Sequence, residues 1–289
     1  MFKTMLVCSD GSDEALMAVR VAAKLAAHLA SRVTLLTIFD RSEYSFSYYS
    51  ALEVIGQVMD LDELKADISD RIERSALPIF EKAGVKCEPV REEGHPVGRI
   101  VHAARETKAD LVVVGSRGLG TWQSLLLGNV SSGVLHHAQC PVLVVRGDRD
   151  SFNQILLVTD GSGSALEATT LAIGLGNILH ARLTILNVCK PLAPVRKDAQ
   201  KQLGGRSQRR IIDFFAQSAE TVLKTAEVPP DIRQEEGAPA EAIVRIAESE
   251  KFDLIVVGSR GMGGFSSMLL GSVSDQVARH AHCPVLVAR

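Results

Sequence analysis

Charge of one sign, a membrane-length apolar run and a paired cysteine pattern are all missing from this chain, and each absence removes a class of function. Lys and Arg number 32 against 34 Asp and Glu, a formal net charge of −2. No polybasic surface therefore asks for nucleic acid or an anionic membrane. No uninterrupted apolar stretch approaches the roughly 20 residues that span a bilayer. Met1 to Asp10 enters a strand pattern directly, without the layout of a signal peptide, so a cytoplasmic protein is expected. The five cysteines are odd in number and include no C-x-x-C pair, which argues against a disulfide framework. What is present is ordinary for a soluble globular chain, with 46% apolar and 23% charged residues.

Against that background one pattern stands out because it occurs twice. Gly115-Ser-Arg-Gly118, nine intervening residues and Gly128 are matched by Gly258-Ser-Arg-Gly261, nine intervening residues and Gly271. From Val112 to Arg146 and from Ile255 to Arg289, 22 of 35 positions are identical at an offset of 143. One ancestral unit is present in two copies. A length of 289 residues then gives two domains of ordinary size. They are expected over 1–146 and 153–289, joined by a polar linker over 147–152. Cys140 and Cys283 each precede Pro-Val-Leu-Val and read as small buried hydrophobes at the entry to a core strand. His136, His137, His280 and His282 lie close by, but their spacing differs between copies. Histidine near a helix C-terminus is expected on dipole grounds alone, so no metal site is expected.

Each copy reads as five short strands alternating with helices. In the first, strands are expected over Thr4–Ser9, Arg32–Phe39, Lys86–Arg91, Asp110–Gly115 and Val142–Arg146. Helices are expected over Asp13–Ala30, Leu61–Ala83, Val97–Thr107 and Asn129–His137. The fold class is α/β, two tandem open five-stranded parallel sheets flanked by helices, Rossmann-like in plan. In such sheets ligands sit at the carboxyl ends of strands, where strand order reverses. Asp10-Gly-Ser12 ends the first strand and Gly115-Ser-Arg-Gly118 the fourth. Their equivalents are Asp160-Gly-Ser162 and Gly258-Ser-Arg-Gly261. An acidic side chain and a glycine loop thus share one edge.

Glycines at 118, 261, 128 and 271 remove a Cβ that would bar the backbone from a phosphate or force a strained dihedral. The helix starts that follow offer unpaired N–H groups and a partial positive charge. Ser272, Val273 and Ser274 begin the helix of the second copy, and Asn129, Val130 and Ser131 that of the first. Their hydroxyl and amide groups are candidate donors to phosphate. The competing reading is a tight surface loop that lets helix approach strand, and preservation of the spacing in both copies favours phosphate. Asp10 and Asp160 fit two roles, turn and helix-cap residue or acceptor for a base or ribose. Arg117 and Arg260 are candidates for phosphate oxygens or for solvated loop positions.

Other nucleotide motifs fail. Gly115 to Thr121 imitates a Walker A loop without its lysine, and the dinucleotide fingerprint is replaced after the first strand by Asp10-Gly-Ser-Asp13. No serine elbow, no H-E-x-x-H and no repeated general base is present. Binding is better supported than turnover.

The G-x-x-G, nine residues, G-[ST] pattern, with an Asp after the first strand and a closing Cys-Pro-Val-Leu-Val strand, resembles the universal stress protein family. The resemblance is to its tandem two-domain form and its ATP-binding branch. It implies an adenine-nucleotide alpha-hydrolase-like fold and ATP, with or without Mg2+, as ligand. It further implies that Asp10 and Asp160 meet adenosine, Ile38 and Val188 flank adenine, and Gly94-His-Pro96 and Gly237-Ala-Pro239 form a turn near the base. Asn129 departs from the family's Ser or Thr, which Ser272 keeps, so the second site is expected to be the stronger. A stress-response or regulatory protein acting through nucleotide-dependent interactions is expected. The alternatives are a slow ATPase or nucleotidyl-transferring enzyme, and a nucleotide-free interaction module.

Individuality lies where the copies diverge. Residues 40–60 hold all three tyrosines, Tyr44, Tyr48 and Tyr49, with Phe46, and read either as a self-packed loop or as a lid or partner surface. Residues 190–210 are basic in the second copy and read as a solvated connection or as a phosphate or acidic-partner contact. The apolar last strands, Val142–Val145 and Val285–Val287, would be hazardous open edges. Pairing with each other inside the chain would protect them and make an intramolecular pseudo-dimer, with a homodimer as a further possibility.

Overall fold

Leu111-Val-Val-Val-Gly115 and Leu254-Ile-Val-Val-Gly258 contain no polar residue, a composition suited to strands covered on both faces. Both are strands, and every position in them is buried. The structure is a computed structural model that describes residues 1–40, 61–118, 127–189, 219–261 and 270–289.

Contacts gather the described residues into two compact units, Phe2–Cys140 and Pro141–Arg289, the latter with Met1. The first unit runs β1 (Thr4–Cys8), α1 (Asp13–Leu29), β2 (Arg32–Phe39), α2 (Leu61–Lys82), β3 (Cys87–Glu93), α3 (Pro96–Glu106), β4 (Leu111–Gly115) and α4 (Asn129–His137). Its strands lie in the order β3-β2-β1-β4, and all pair in parallel. The order reverses between β1 and β4, whose carboxyl ends carry Asp10 and Gly115. On α1, buried Ala15, Ala18, Val19, Ala22, Leu25 and Ala26 recur at three- and four-residue intervals, a helical stripe facing the sheet.

The second unit contains β5 (Val142–Val145), β6 (Gln154–Val158), α5 (Gly163–Leu179), β7 (Arg182–Cys189), β8 (Asp231–Glu236), α6 (Pro239–Ser249), β9 (Leu254–Gly258), α7 (Ser272–His280) and β10 (Val285–Ala288). Strand order is β5-β10-β9-β6-β7-β8, with the reversal between β6 and β9. Element bounds fall within one or two residues of those expected. The last strands of the two copies pair antiparallel, Val144 opposite Val285, Leu143 opposite Leu286 and Val142 opposite Val287. As a result β5, which the repeat assigns to the first copy, packs with the second. All four of its residues are buried, as are those of β10, so two apolar edges are consumed in one pairing.

Polar residues at the unit's margins do specific work. Arg146, 8% exposed, sends its guanidinium to the carbonyls of Ala278, Arg279 and Ala281 at the end of α7, supplying donors and positive charge where a helix lacks both. Asp253 accepts the N–H groups of Asn153 and Gln154, each at 3.0 Å, and an Arg149 N–H at 2.8 Å, which anchors the linker. Asp110 does the same for Lys3 and Thr4 at 2.7 and 3.1 Å. No helix among the described residues is long and apolar enough to cross a membrane.

Helices α1 and α5 start with equivalent caps, Ser12 accepting from the Ala15 N–H and Ser162 from the Ala165 N–H. Ser12→Ala is expected to lower stability by about 1 kcal/mol, read as an earlier urea midpoint for the transition of that unit. An unchanged midpoint would show the cap to be dispensable.

Candidate functional site

The chain leaves β1 through Asp10-Gly11-Ser12 and leaves β6 through Asp160-Gly161-Ser162. Gly11 and Gly161 both sit at φ +81°, a conformation that glycine adopts without a Cβ penalty. This turn folds the aspartate back on itself. Asp10 Oδ1 accepts from the Ser12 N–H at 3.0 Å and the Ser12 hydroxyl at 2.6 Å, and Asp160 Oδ1 accepts from the Ser162 N–H at 3.0 Å. The serine, not the aspartate, caps the helix. The second carboxylate oxygen is held toward the glycine loop, because a Cβ built on Gly118 would fall on Asp10 Oδ2 and one on Gly261 would lie 2.6 Å from Asp160 Oδ2. The two segments expected to share an edge are therefore in contact in each unit.

The glycines are explained by space rather than by dihedral strain. None of Gly115, Gly118, Gly128, Gly258, Gly261 and Gly271 has a positive φ, which corrects the strained-dihedral alternative. A Cβ on Gly115 would lie 2.9 Å from the backbone of Glu14 and Ala15, and one on Gly258 would lie 2.8 Å from the backbone of Ser164. The first turn of α1 or α5 thus sits directly against the end of β4 or β9. Gly128 donates its N–H to the Ser116 carbonyl at 2.8 Å, and Gly271 to Ser259 at 2.7 Å. Each pins the base of its loop.

Helices α4 and α7 start at Gly128 and Gly271 with no side-chain cap, leaving first-turn amides to a ligand. Asn129 and Ser272 are exposed at the first position and Val130 is exposed, while Val273 is half-buried. Ser131 and Ser274 are buried, and their hydroxyls donate to the carbonyls of Gly115 and Gly258, each at 2.6 Å. Their expected part as hydroxyl donors to phosphate is corrected accordingly. The proton is committed to fastening the helix start to the strand end, and what remains for a ligand is the backbone N–H.

All nine first-unit candidates, Asp10, Ile38, Gly115, Arg117, Gly118, Gly128, Asn129, Val130 and Ser131, line one cleft of about 310 Å³, a size suited to a small-molecule ligand. Cys8, Leu36, Ile100 and Val114 add apolar floor and wall, and His95 and Pro96 bring in the turn before α3. Burial pushes the Cys8 thiol up from its ordinary range, which makes it a wall group rather than a nucleophile. Asp40 also lines the cleft and was not a sequence candidate, since nothing marked it beyond its place after β2. In the second unit Asp160 and Val188, at the ends of β6 and β7, are half-buried.

The two loop arginines differ. Arg117 Nη2 lies 3.0 Å from Glu14 Oε1. Ser164, the equivalent of Glu14, instead bonds the backbone of Arg260, its hydroxyl donating to the carbonyl and accepting from the N–H at 3.3 Å. Among the described residues no three His, Cys, Asp or Glu side chains converge as a metal cluster. Trp122, Phe265, the tyrosine segment and the basic segment over 190–210 lie outside the described residues.

The model of the "Universal stress protein family" matches residues 1–146 and again 151–289. A universal stress protein of Mycolicibacterium smegmatis is 32% identical over 303 residues, covering 99% of this chain and 96% of its own. Universal stress protein Rv2623 of Mycobacterium tuberculosis is 34% identical over 232 residues, 74% of each chain. Among solved structures, a universal stress protein from Archaeoglobus fulgidus superposes with a TM-score of 0.67 at 25% identity, covering 100% of this chain and 99% of its own.

Two consequences of the geometry are measurable. Ser274→Ala leaves the buried Gly258 carbonyl without its hydroxyl donor and is expected to cost about 1–3 kcal/mol, seen as a lower urea midpoint; Ser131→Ala is its counterpart in the other unit. Burial also pushes the Cys283 thiol up to about 12. At pH 8 Cys283 should therefore be alkylated by iodoacetamide far more slowly in the folded chain than in urea, as mass spectrometry of the peptide would report.

Proposed function

As the chain belongs to the universal stress protein family in its tandem form, we propose that it binds ATP at the carboxyl edge of each repeat's sheet. We propose further that it acts in stress response or regulation through partners that sense nucleotide occupancy. The observation that carries this reading is the shared construction of the two edges. Each brings an aspartate oxygen against a glycine-lined loop and opens that loop onto a helix start without a side-chain cap.

The residues fit the parts of the ligand. Asp10 and Asp160 carry acceptors suited to ribose hydroxyls or a base amino group. Ile38 and Val188 offer apolar contact to the adenine ring. The loops and the first turns of α4 and α7 supply N–H donors and a positive helix end for the phosphates, with Arg117 and Arg260 beside them. ATP supplies the charge that these donors match, and Mg2+ bound to it would offset part of that charge. The described residues of the site suit binding, with Oδ1 of each aspartate accepting a bond within its turn and burial pushing the Cys8 thiol up. A cytoplasmic location and a nucleotide-sensitive surface, rather than nucleic acid or membrane contact, complete the reading.

Titration calorimetry with ATP is expected to show one strong site per chain, in the second unit, and a weaker one in the first. Gly261→Val would drive a side chain onto Asp160 and is expected to remove the strong site. Trp122, within the first glycine loop of the sequence, should still report the weaker site by fluorescence. Two equal sites would overturn the ordering, and no binding of ATP, ADP or AMP would overturn the reading itself.

A further inference from the structure

Four residues beyond the site aspartate the repeats carry different chemistry, Glu14 in the first and Ser164 in the second. Each residue sits where its helix meets the glycine loop, against Gly115 or Gly258, and each holds the loop arginine in its own way. Glu14 takes the guanidinium of Arg117 at 3.0 Å, in a pair whose side chains are 38% and 32% exposed. Ser164 bonds both the carbonyl and the N–H of Arg260, its hydroxyl donating to the first and accepting from the second. The Arg260 guanidinium has no ion-pair partner among the described residues, and the residue is exposed. The surroundings differ in the same sense. The first turn of α1 carries two acids, Asp13 and Glu14, and that of α5 carries none. Asp40 adds a further acid to the lining of the first cleft.

Resting on the nucleotide reading above, we propose that Glu14 acts as a built-in counter-anion at the first site, occupying the arginine that phosphate would otherwise engage. The first site then discriminates by phosphate number. A nucleoside monophosphate meets the Asp10 side of the cleft with little to lose, whereas a triphosphate must share or displace Arg117 while a carboxylate stays nearby. Like charges at that distance repel, and a partly exposed ion pair still resists exchange. At the second site the arginine has no such carboxylate beside it: the start of α5 carries no acid, and the acid in the first turn of α7, Asp275, is paired with Arg279 at 2.8 Å, so that site is the polyphosphate site. Glu14 is a specificity-determining residue acting through Arg117, and no bond to the ligand is assigned to it.

The full-length chain carrying Gly261→Val isolates the first site, and ATP and AMP are titrated into it with and without Glu14→Gln, which keeps the side chain's length and removes its charge. ATP affinity is expected to rise by about two- to fivefold and AMP affinity to stay the same within about 1.5-fold. Glu14→Ser, the residue of the other repeat, should act in the same direction and serves if the amide variant folds poorly. Ser164→Glu in the otherwise unaltered chain should lower ATP affinity at the second site by a similar factor while sparing AMP. Unchanged ATP affinity in the Glu14 variants, or equal gains for ATP and AMP, would overturn the role of Glu14 and leave the nucleotide reading standing. An unaltered chain that binds no adenine nucleotide would overturn both.

Discussion

Everything at the two candidate sites depends on a missing methyl-sized volume at the end of a strand. Where β4 and β9 finish, a Cβ would collide with the backbone of the helix that follows β1 or β6. With hydrogen there instead, the first turn of α1 or α5 can rest on the strand end, and the aspartate of the intervening turn is carried to the glycine loop. The same strand ends accept the hydroxyls of Ser131 and Ser274. The starts of α4 and α7 are thereby fixed relative to the aspartates. Close packing here leaves little freedom for compensation, so four chain segments hold one geometry.

Much of this was legible in the residues. Short, β-branched apolar runs closed by glycine, such as Leu111 to Gly115, suit covered strands, and the repeat let each assignment be checked by its copy. The ladder of glycines marked the loop edge, and all nine candidates of the first unit proved to line one cleft. What was not legible depended on side chains distant in sequence. Ser131 and Ser274 looked like ligand donors because their partner carbonyls lie 16 residues upstream across a loop, a relation that no local pattern encodes. The bond between Glu14 and Arg117 crosses from α1 to the loop after β4. One signal for it was available, the exchange of Glu for Ser between copies, but its meaning needed the distance.

The two edges therefore share a frame and differ in electrostatics. Duplication preserved the groups that shape the backbone, namely the glycines, the turn aspartates and the buried serines. Groups that only add charge drifted, as at 14 and 164. Backbone shape is set by close contacts that tolerate almost no change, whereas a half-exposed charge is screened by water and contributes little to stability. Selection on ligand preference can act on such positions without endangering the fold.

The antiparallel pairing of the last strands bears on what counts as one finished piece of this protein. β5 and Arg146 are encoded by the first copy, yet one closes the apolar edge of β10 and the other seals the end of α7. A second copy separated at the linker would present a bare strand of four buried-type residues and a helix end without its cation. It would be a half-molecule in search of a β5, and another chain's β10 offers a matching edge. Fusion of the copies in one chain guarantees that the complementary strand is always supplied, at a local concentration that no separate subunit could match.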